Sequence, residues 1–277
     1  KLATIKIDVE LQIGISGLAH EKANIEKLLE WYKQLEFRSW TEELLSSNAT
    51  DAEVSAAIQS KYSTVFSKAE FELWLTRLQA SNLFAFDTET TSLNYMNAEI
   101  VGVSFSVNSG EAAYVPFVHT YPGAPKQLER DWALKKLKPV LEDSNKAKVG
   151  QNLKYDASVL ANHGIVLEGI KYDTMLESYI LDSTGTRHDM DSLALKYLGH
   201  KTTHFEDIAG KGAKQLTFDE IPLEVAGPYA AEDADVTMRL HEVFWPRIEE
   251  EEKLISLFNQ IEVPLVPVLS RIERKGA

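Results

Sequence analysis

The most constraining feature of the sequence is the segment at residues 83–90, which reads LFAFDTET. Its four leading apolar residues predict a buried strand. Asp87 and Glu89 follow two residues apart, and on a strand this spacing places both side chains on one face. Neighbouring carboxylates repel each other, and a cation between them removes the repulsion. Because oxygen ligands suit magnesium or manganese, the segment indicates a metal site; a polar turn after a core strand is the alternative.

A second candidate site has the sequence GQNLKYD and begins at Gly150. Asn152 and Asp156 are four residues apart and therefore share one face of a predicted helix. Gln151, Asn152 and Lys154 lie near the helix N-terminus, which favours anions, so they are candidates for binding phosphate or sugar oxygens. The alternative is an N-cap asparagine followed by an exposed aspartate.

A third candidate site has the sequence GPYAAEDAD and begins at Gly227. Gly227 and Pro228 predict that a helix starts at this point. Tyr229 and Asp233 then lie on one helix face, where a tyrosine hydroxyl one turn from a carboxylate can orient a water molecule. The alternative is a tyrosine packed in the core and an aspartate placed near the positive end of the helix.

The apolar pattern of the main part of the chain predicts an α/β fold. Three strands at 83–87, 100–107 and 112–118 follow one another with short connections and predict an antiparallel meander. A short strand at 147–150 leads into a helix at 153–163. Further helices are predicted at 66–79, 134–141, 172–181, 191–198 and 229–248. Strands followed by helices, with one βα step between them, indicate a mixed central sheet flanked by helices.

The first part of the chain has a different pattern. Residues 1–45 predict a small separate unit, with a strand at 5–11 and a helix at 25–35. Residues 46–51 are small and polar, and from them we expect a linker over residues 46–61. The 277 residues suffice for one large domain or two small ones.

Composition excludes several classes of function. The formal net charge of −13 argues against a non-specific duplex-binding protein, which carries a basic face. The absence of cysteine excludes disulfides, thiolate zinc sites and cysteine nucleophiles, and it fits a reducing cytoplasm. No apolar run reaches the 18 residues that a membrane span needs, so we expect no membrane partner.

Together, the three candidate sites resemble the Asp-Glu-Asp-Asp superfamily of 3′→5′ exonucleases, in its tyrosine subtype. In particular, residues 62–277 are similar to the proofreading domain of the bacterial DNA polymerase I family, the family A polymerases. The similarity extends to the sequences DTMLESYI from Asp173 and RHDMDSL from Arg187. Residues 262–269 resemble the start of the polymerase domain, and residues 34–40 resemble the end of a 5′-nuclease domain.

This resemblance implies a ribonuclease H-like exonuclease fold and four segments. These are a 5′-nuclease tail at 1–45, a linker at 46–61, a 3′→5′ exonuclease domain at 62–250 and the start of a polymerase domain at 251–277. It also implies two divalent metal ions, Mg²⁺ or Mn²⁺, held by Asp87, Glu89, Asp156 and Asp233. Four carboxylates carry −4, which two divalent cations balance.

The resemblance also assigns roles to residues around the metals. Tyr229, together with Glu89, positions the attacking water. Leu93 wedges against the terminal base, and Phe205 stacks on an unpaired base. The remaining matches are polar residues around the DNA strand: Gln151, Asn152, Lys154 and Arg187.

The implied function is hydrolysis of DNA from the 3′ end by a two-metal mechanism, as a proofreading module in replication and repair. The implied partners are a single-stranded or frayed 3′ end and the polymerase and 5′-nuclease domains of a longer chain, in a monomer of the bacterial cytoplasm. One alternative is an RNA-trimming exonuclease such as ribonuclease D, which lacks the polymerase-like tail. Another is a non-catalytic module that braces its neighbours, against which the intact carboxylates argue.

Overall fold

The structure is a computed structural model that describes residues 23–35, 37, 40, 41, 44, 60–184 and 187–276. The chain forms two compact units, residues 1–50 and residues 51–277. The described part of the first unit contains helix α1 (Ile25–Gln34), where the sequence predicts a helix. The rings of Tyr32, Phe37 and Trp40 pack together beside it, with centroids 4.8–6.2 Å apart. The strand predicted at 5–11 and most of the predicted linker lie outside the described residues.

The second unit is built on a six-stranded mixed sheet in the order β1-β4-β3-β2-β5-β6. The strands are β1 (Lys61–Thr64), β2 (Leu83–Thr90), β3 (Ile100–Asn108), β4 (Glu111–Pro116), β5 (Ala147–Gly150) and β6 (Ile170–Asp173). Strands β2, β3 and β4 form the predicted antiparallel meander. The pairs β1–β4, β2–β5 and β5–β6 are parallel. This arrangement confirms the predicted α/β class with a mixed sheet.

Helices cover both faces of the sheet. They are α2 (Lys68–Ala80), α3 (Arg130–Leu141), α4 (Leu153–Asn162), α5 (Thr174–Leu181), α6 (Met190–Leu193), α7 (Phe205–Ala209), α8 (Leu223–Glu249), α9 (Glu252–Leu257) and α10 (Val263–Glu273). Helix α2 starts as the sequence predicts, because Ser67 and Glu70 form a reciprocal capping box. In the described part of the chain, none of the helices combines the length and the apolar character needed to cross a bilayer.

Alternation along β2 decides which layer each of its side chains enters. Phe84 and Phe86 belong to the apolar cluster that the sheet forms with α2, α3 and α4. Ala85 belongs to a different cluster, which includes Met238 of α8. Because successive side chains on a strand point to opposite faces, Asp87 and Glu89 follow Ala85 to the α8 side, and the residue between them follows the phenylalanines to the α4 side.

The predicted helix start at Pro228 is wrong. Helix α8 begins at Leu223, so Gly227 and Pro228 lie inside it. A Cβ atom on Gly227 would lie 2.1 Å from Oγ1 of Thr64, so this glycine allows α8 to approach β1 closely. Pro228 is exposed in the second turn, where the missing N–H removes one helical hydrogen bond but no core contact.

The helix predicted at 172–181 is shorter than expected. Tyr172 belongs to β6 and pairs with Val149 of β5. Asp173 is the N-cap of α5, which then begins at Thr174. The apolar residues of the segment cannot distinguish a buried parallel strand from the first turn of a buried helix, which explains the error.

Candidate active site

Three carboxylates meet at the α8 side of the sheet. Asp87 and Glu89 extend from β2, where they pair with Ser104 and Gly102 of β3. Asp233 reaches the same point from α8, and one carboxylate oxygen of each of these three acids lies within 4.8 Å of the others. All three side chains are half-buried. The two-residue spacing on β2 and the packing of α8 on the sheet together produce this cluster.

Asp156 lies on the opposite side of β2 and contacts the strand between the first two acids. Its Oδ1 accepts hydrogen bonds from the backbone N–H of Thr88 at 3.0 Å and from the Thr88 hydroxyl at 2.6 Å. The side chain belongs to α4 and is only 2% exposed. Asp156 is outside the group of three acids but close enough for its charge to raise the pKa of Glu89. The alternative of an exposed aspartate at this position does not hold.

The site is electrostatically unfavourable for four negative charges. Burial raises the pKa of Asp87 to about 6. Burial and then the charges of Asp87, Asp233 and Asp156 hold the pKa of Glu89 well above its usual range. Burial, and after it the charge of Asp87, also raises the pKa values of Asp156 and Asp233 well above their usual range. Without positive charge, the four carboxyl groups therefore retain protons that isolated carboxylates would lose.

The donor set fits a divalent cation. Oε1 of Glu89 is buried and has no hydrogen-bond partner among the described residues. A buried acceptor of this kind is costly unless a donor or a cation satisfies it. Carboxylate oxygens are the ligands that hard divalent cations prefer. The residues that would hold such an ion are Asp87, Glu89 and Asp233, with Asp156 beside them.

Tyr229 lies one helical turn before Asp233 on α8, and its ring packs on two other aromatic residues. The ring centroids of Phe205 and Phe218 are 6.4 Å and 6.0 Å away. Burial, followed by the charges of Asp233 and other site acids, raises the pKa of Tyr229 above its usual range. The tyrosine ring is therefore packed against other side chains, as the core-packing alternative from the sequence predicts. Its hydroxyl also stays neutral beside the carboxylates.

The site opens into a cleft of about 620 Å³. Its lining includes eight of the residues selected from the sequence: Asp87, Glu89, Leu93, Gln151, Asn152, Asp156, Phe205 and Tyr229. Leu93 is 92% exposed. Its side chain is therefore accessible from the cleft.

Three of the selected residues lie outside this lining: Asp233, which joins Asp87 and Glu89 in the three-acid group, and the two basic residues, Lys154 and Arg187. Lys154 is directed to the C-terminal helix α10, where its Nζ lies 2.6 Å from Oε1 of Glu273. Arg187 is exposed. The structure therefore brings the carboxylates, the tyrosine and the apolar residues together, and it leaves these two cations outside the lining of the cleft.

The cleft also contains residues that the sequence did not indicate. Tyr155 bridges α4 and β2, because its hydroxyl lies 2.5 Å from Oγ1 of Thr90 and 2.6 Å from the carbonyl oxygen of Ser92. Its position next to Asp156 was the only available signal. Four more come from β2 and the residues after it: Thr88, Thr90, Thr91 and Ser92. A further four come from the segment before α8, which carries no recognisable chemical pattern: Gln215, Leu216, Thr217 and Phe218.

Comparison with known proteins finds similar sequences along the whole chain. A family model described as 3′-5′ exonuclease matches residues 62–249. DNA polymerase I of Pseudomonas aeruginosa is 56% identical over the whole of this chain, and that of Rhizobium leguminosarum is 42% identical over 78% of it. The chain spans only 31% and 23% of the lengths of these two relatives.

A solved structure shows the same fold at low identity. NrnC of Brucella melitensis bound to pGG superposes with a TM-score of 0.56 and 19% identity, over 79% of this chain and 95% of that one. This likeness supports the ribonuclease H-like fold that the sequence predicted. Because the family model covers well over half of the residues, the chain belongs to the 3′-5′ exonuclease family found in DNA polymerase I.

Proposed function

We propose that this domain hydrolyses the terminal phosphodiester bond at a single-stranded or frayed 3′ end of DNA and releases nucleoside 5′-monophosphates one at a time. The observation that carries the proposal is the group formed by Asp87, Glu89 and Asp233, whose oxygens lie within 4.8 Å of one another. The group lies at a cleft whose lining includes Leu93 and Phe205. An acidic metal site beside apolar base-binding surfaces suits phosphodiester hydrolysis on an unpaired strand.

Two divalent metal ions, Mg²⁺ or Mn²⁺, balance the four carboxylates of Asp87, Glu89, Asp156 and Asp233. When bound, such ions lower the pKa of the attacking water and stabilise charge on the attacking and leaving oxygens. Two contacts between β2 and a helix hold the ligands in place: α8 packs on one side of the strand and α4 on the other. The buried Glu89 Oε1, which lacks a protein partner in the described residues, supports its role as a ligand.

Tyr229 orients the attacking water together with Glu89. Its pKa lies above the usual range, so the hydroxyl keeps its proton at neutral pH and acts as a hydrogen-bond donor. Its ring is fixed by Phe205 and Phe218, which restricts where the hydroxyl can point. Fixed geometry of this kind is how a side chain that only orients a reactant contributes to the rate.

The DNA strand contacts the apolar and polar side chains of the cleft. Leu93 wedges against the terminal base, and Phe205 stacks on an unpaired base with Phe218 parallel behind it at 6.4 Å and 17°. Gln151 and Asn152 contact sugar or phosphate oxygens. Stacking contributes about 1–3 kcal/mol per base without reading its identity. Selectivity for a mismatched end then comes from the lower cost of unpairing it.

Lys154 and Arg187 are expected to bind phosphates further along the strand. Lys154 must first exchange its contact with Glu273 for a phosphate. Both partners of that ion pair are about one-third exposed, and ion pairs at the surface are weak. The exchange is therefore inexpensive.

The likeness to much longer DNA polymerase I relatives supports a place in a multidomain enzyme. In this proposal residues 1–45 end a 5′-nuclease domain, residues 46–61 are a linker, residues 62–250 are the exonuclease domain and residues 251–277 begin a polymerase domain. The whole enzyme acts as a monomer in the bacterial cytoplasm during replication and repair.

A cleavage assay on a 5′-labelled DNA oligonucleotide tests the proposed function. With Mg²⁺ we expect a ladder that shortens from the 3′ end, and with excess chelator we expect none. An RNA oligonucleotide of the same sequence, assayed in parallel, separates the DNA exonuclease from an RNA-trimming enzyme. Shortening from the 5′ end, or a ladder that persists in chelator, would overturn the proposal.

A further inference from the structure

The carboxylate of Asp173 is buried at the end of β6 and caps two helices at once. It is 1% exposed. Its oxygens accept backbone hydrogen bonds from Asn152 and Leu153, at 3.1 and 2.8 Å, at the start of α4. They also accept from Met175 and Leu176, at 3.1 and 3.4 Å, at the start of α5. An ordinary N-cap residue serves only its own helix, so the contacts to α4 require a separate explanation.

Thr174 adds to the same contact. Its hydroxyl lies 3.2 Å from the carbonyl oxygen of Gly150 and 2.5 Å from Oε1 of Gln151. Gly150 is also paired with Asp173 in the β5–β6 ladder. The turn at residues 150–153, which connects β5 to α4, is therefore held by Asp173 and Thr174 at both its backbone N–H and its carbonyl groups.

This turn contains a backbone conformation that needs support. Asn152 has a φ of 66° and lies in the left-handed region, which glycine adopts more readily than other residues. The hydrogen bond from its N–H to Asp173 holds that conformation. Without it, the turn can relax towards an ordinary extended or helical conformation, and the start of α4 would shift.

Helix α4 carries Asp156 in its first turn. Asp156 is therefore positioned from two sides: its carboxylate contacts Thr88 on β2, and its helix is anchored to Asp173 on β6. A shift at the start of α4 moves Asp156 relative to Asp87 and Glu89. The distances between these carboxylates decide how well they bind a cation in common.

We propose that Asp173 is a positioning residue for the metal site: by fixing the start of α4, it places Asp156 and so sets the affinity of the site for divalent cations. The inference rests on the proposed function in one respect, which is that Asp156 is a metal ligand. Asp173 itself touches neither the metal nor the DNA.

The test measures Mn²⁺ binding to the whole chain by isothermal titration calorimetry, without DNA. Asp173→Asn places an amide donor against backbone N–H groups, and we expect its half-saturating Mn²⁺ concentration to rise about 10–100-fold. The matched control is Glu177→Gln. Glu177 is also buried on α5, but it hydrogen-bonds to His241 of α8 at 2.8 Å and, among the described residues, forms no hydrogen bond with the 150–153 turn. This control should lose thermal stability and keep the wild-type Mn²⁺ affinity.

A second variant keeps the proposal testable if Asp173→Asn does not fold. Thr174→Val removes one hydroxyl with little change of shape, and we expect a smaller but measurable loss of Mn²⁺ affinity. Unchanged Mn²⁺ affinity in a folded Asp173→Asn, or in Thr174→Val when the first variant does not fold, would overturn the proposal. Equal affinity losses in Asp173→Asn and Glu177→Gln would also overturn it. Parallel DNA cleavage by the wild-type chain separates the two ideas, because Mn²⁺ binding without cleavage contradicts only the proposed function.

Discussion

The hydroxyl of Thr88 donates to Oδ1 of Asp156 at 2.6 Å, and the backbone N–H of Thr88 donates to the same oxygen at 3.0 Å. Thr88 lies between Asp87 and Glu89 on β2. One strand segment therefore presents two carboxylates on one face and fixes a third from the other face. A threonine here does more than continue a strand, since its side chain connects the two layers that supply the acids.

We expect Thr88→Val to lower the cleavage rate about 10-fold or more, because it removes the hydroxyl that orients a metal-binding carboxylate. The half-saturating DNA concentration should change little, since Thr88 makes no proposed contact with the strand's bases. Steady-state kinetics on a 5′-labelled oligonucleotide measure both quantities.

The matched control is Thr237→Val. Thr237 is 1% exposed on α8, and its Oγ1 has no hydrogen-bond partner among the described residues. This substitution should leave the kinetics unchanged. A Thr88→Val enzyme with wild-type rate would show that Asp156 needs no support from the Thr88 hydroxyl.

Substitution of the site acids should abolish cleavage while the fold remains. We expect this of Asp233→Ala and of the Asp87→Ala/Glu89→Ala double variant, because each removes ligands from the three-acid group. Tyr229→Phe should retain measurable activity, since it removes only a hydroxyl that orients water. Cleavage assays with circular dichroism spectra check these outcomes, and equal losses in all three variants at unchanged spectra would contradict the separate roles.

Much of the site could be predicted from the sequence because its spacings match regular elements. The period of two on β2 places Asp87 and Glu89 together, and the helical period places Tyr229 one turn from Asp233. Contacts between elements could not be predicted in this way. That Thr88 faces Asp156, and that Lys154 faces Glu273, depends on how α4 packs against β2 and α10.

The error at Pro228 has the same origin. Glycine followed by proline is typical of a helix start, and the sequence carries no sign that Gly227 lies against another element. The tertiary contact with Thr64 explains this glycine better than local backbone preference does. The sequence does not indicate the cleft residues Gln215 and Leu216, because only the folded chain brings them into the same cleft as Leu93.

Gly227→Ala should destabilise the protein by about 1–3 kcal/mol, as overpacking does in a close contact. The added methyl group would meet Oγ1 of Thr64 at 2.1 Å and force α8 away from β1. Because α8 carries Asp233, cleavage should also fall. Urea denaturation measures the stability change. The double variant Thr64→Ala/Gly227→Ala removes the clashing oxygen and should recover part of the loss, and absence of any recovery would show that the clash is not the cause.

Divalent metal should stabilise the protein against heat, and pH should modulate the effect. In the metal-free protein the folded-state pKa of Asp87 is about 6, above the usual value of 3.8. Between pH 3.8 and about 6, the Asp87 carboxyl binds more protons in the folded state than in the unfolded state. Protonation of Asp87 therefore stabilises the folded state at low pH, and this stabilisation is lost as pH rises through about 6. In chelator, we therefore expect Asp87→Ala/Glu89→Ala to be more stable than wild type at pH 7.5, with the difference shrinking as pH falls towards 4.

With bound metal, the wild-type protein should become more stable than the Asp87→Ala/Glu89→Ala variant. At a free metal concentration about a hundredfold above its dissociation constant, binding to the folded state adds about 2.7 kcal/mol of stability. The gain should grow as pH rises towards neutrality, because the ligands must lose their protons before they bind. Thermal denaturation of both proteins over pH 4–8, with chelator and with Mn²⁺, measures the two effects together. If Mn²⁺ raised the melting temperature of the double variant as much as that of wild type, the stabilising ion would bind away from Asp87 and Glu89, and the acids of β2 would not form the metal site.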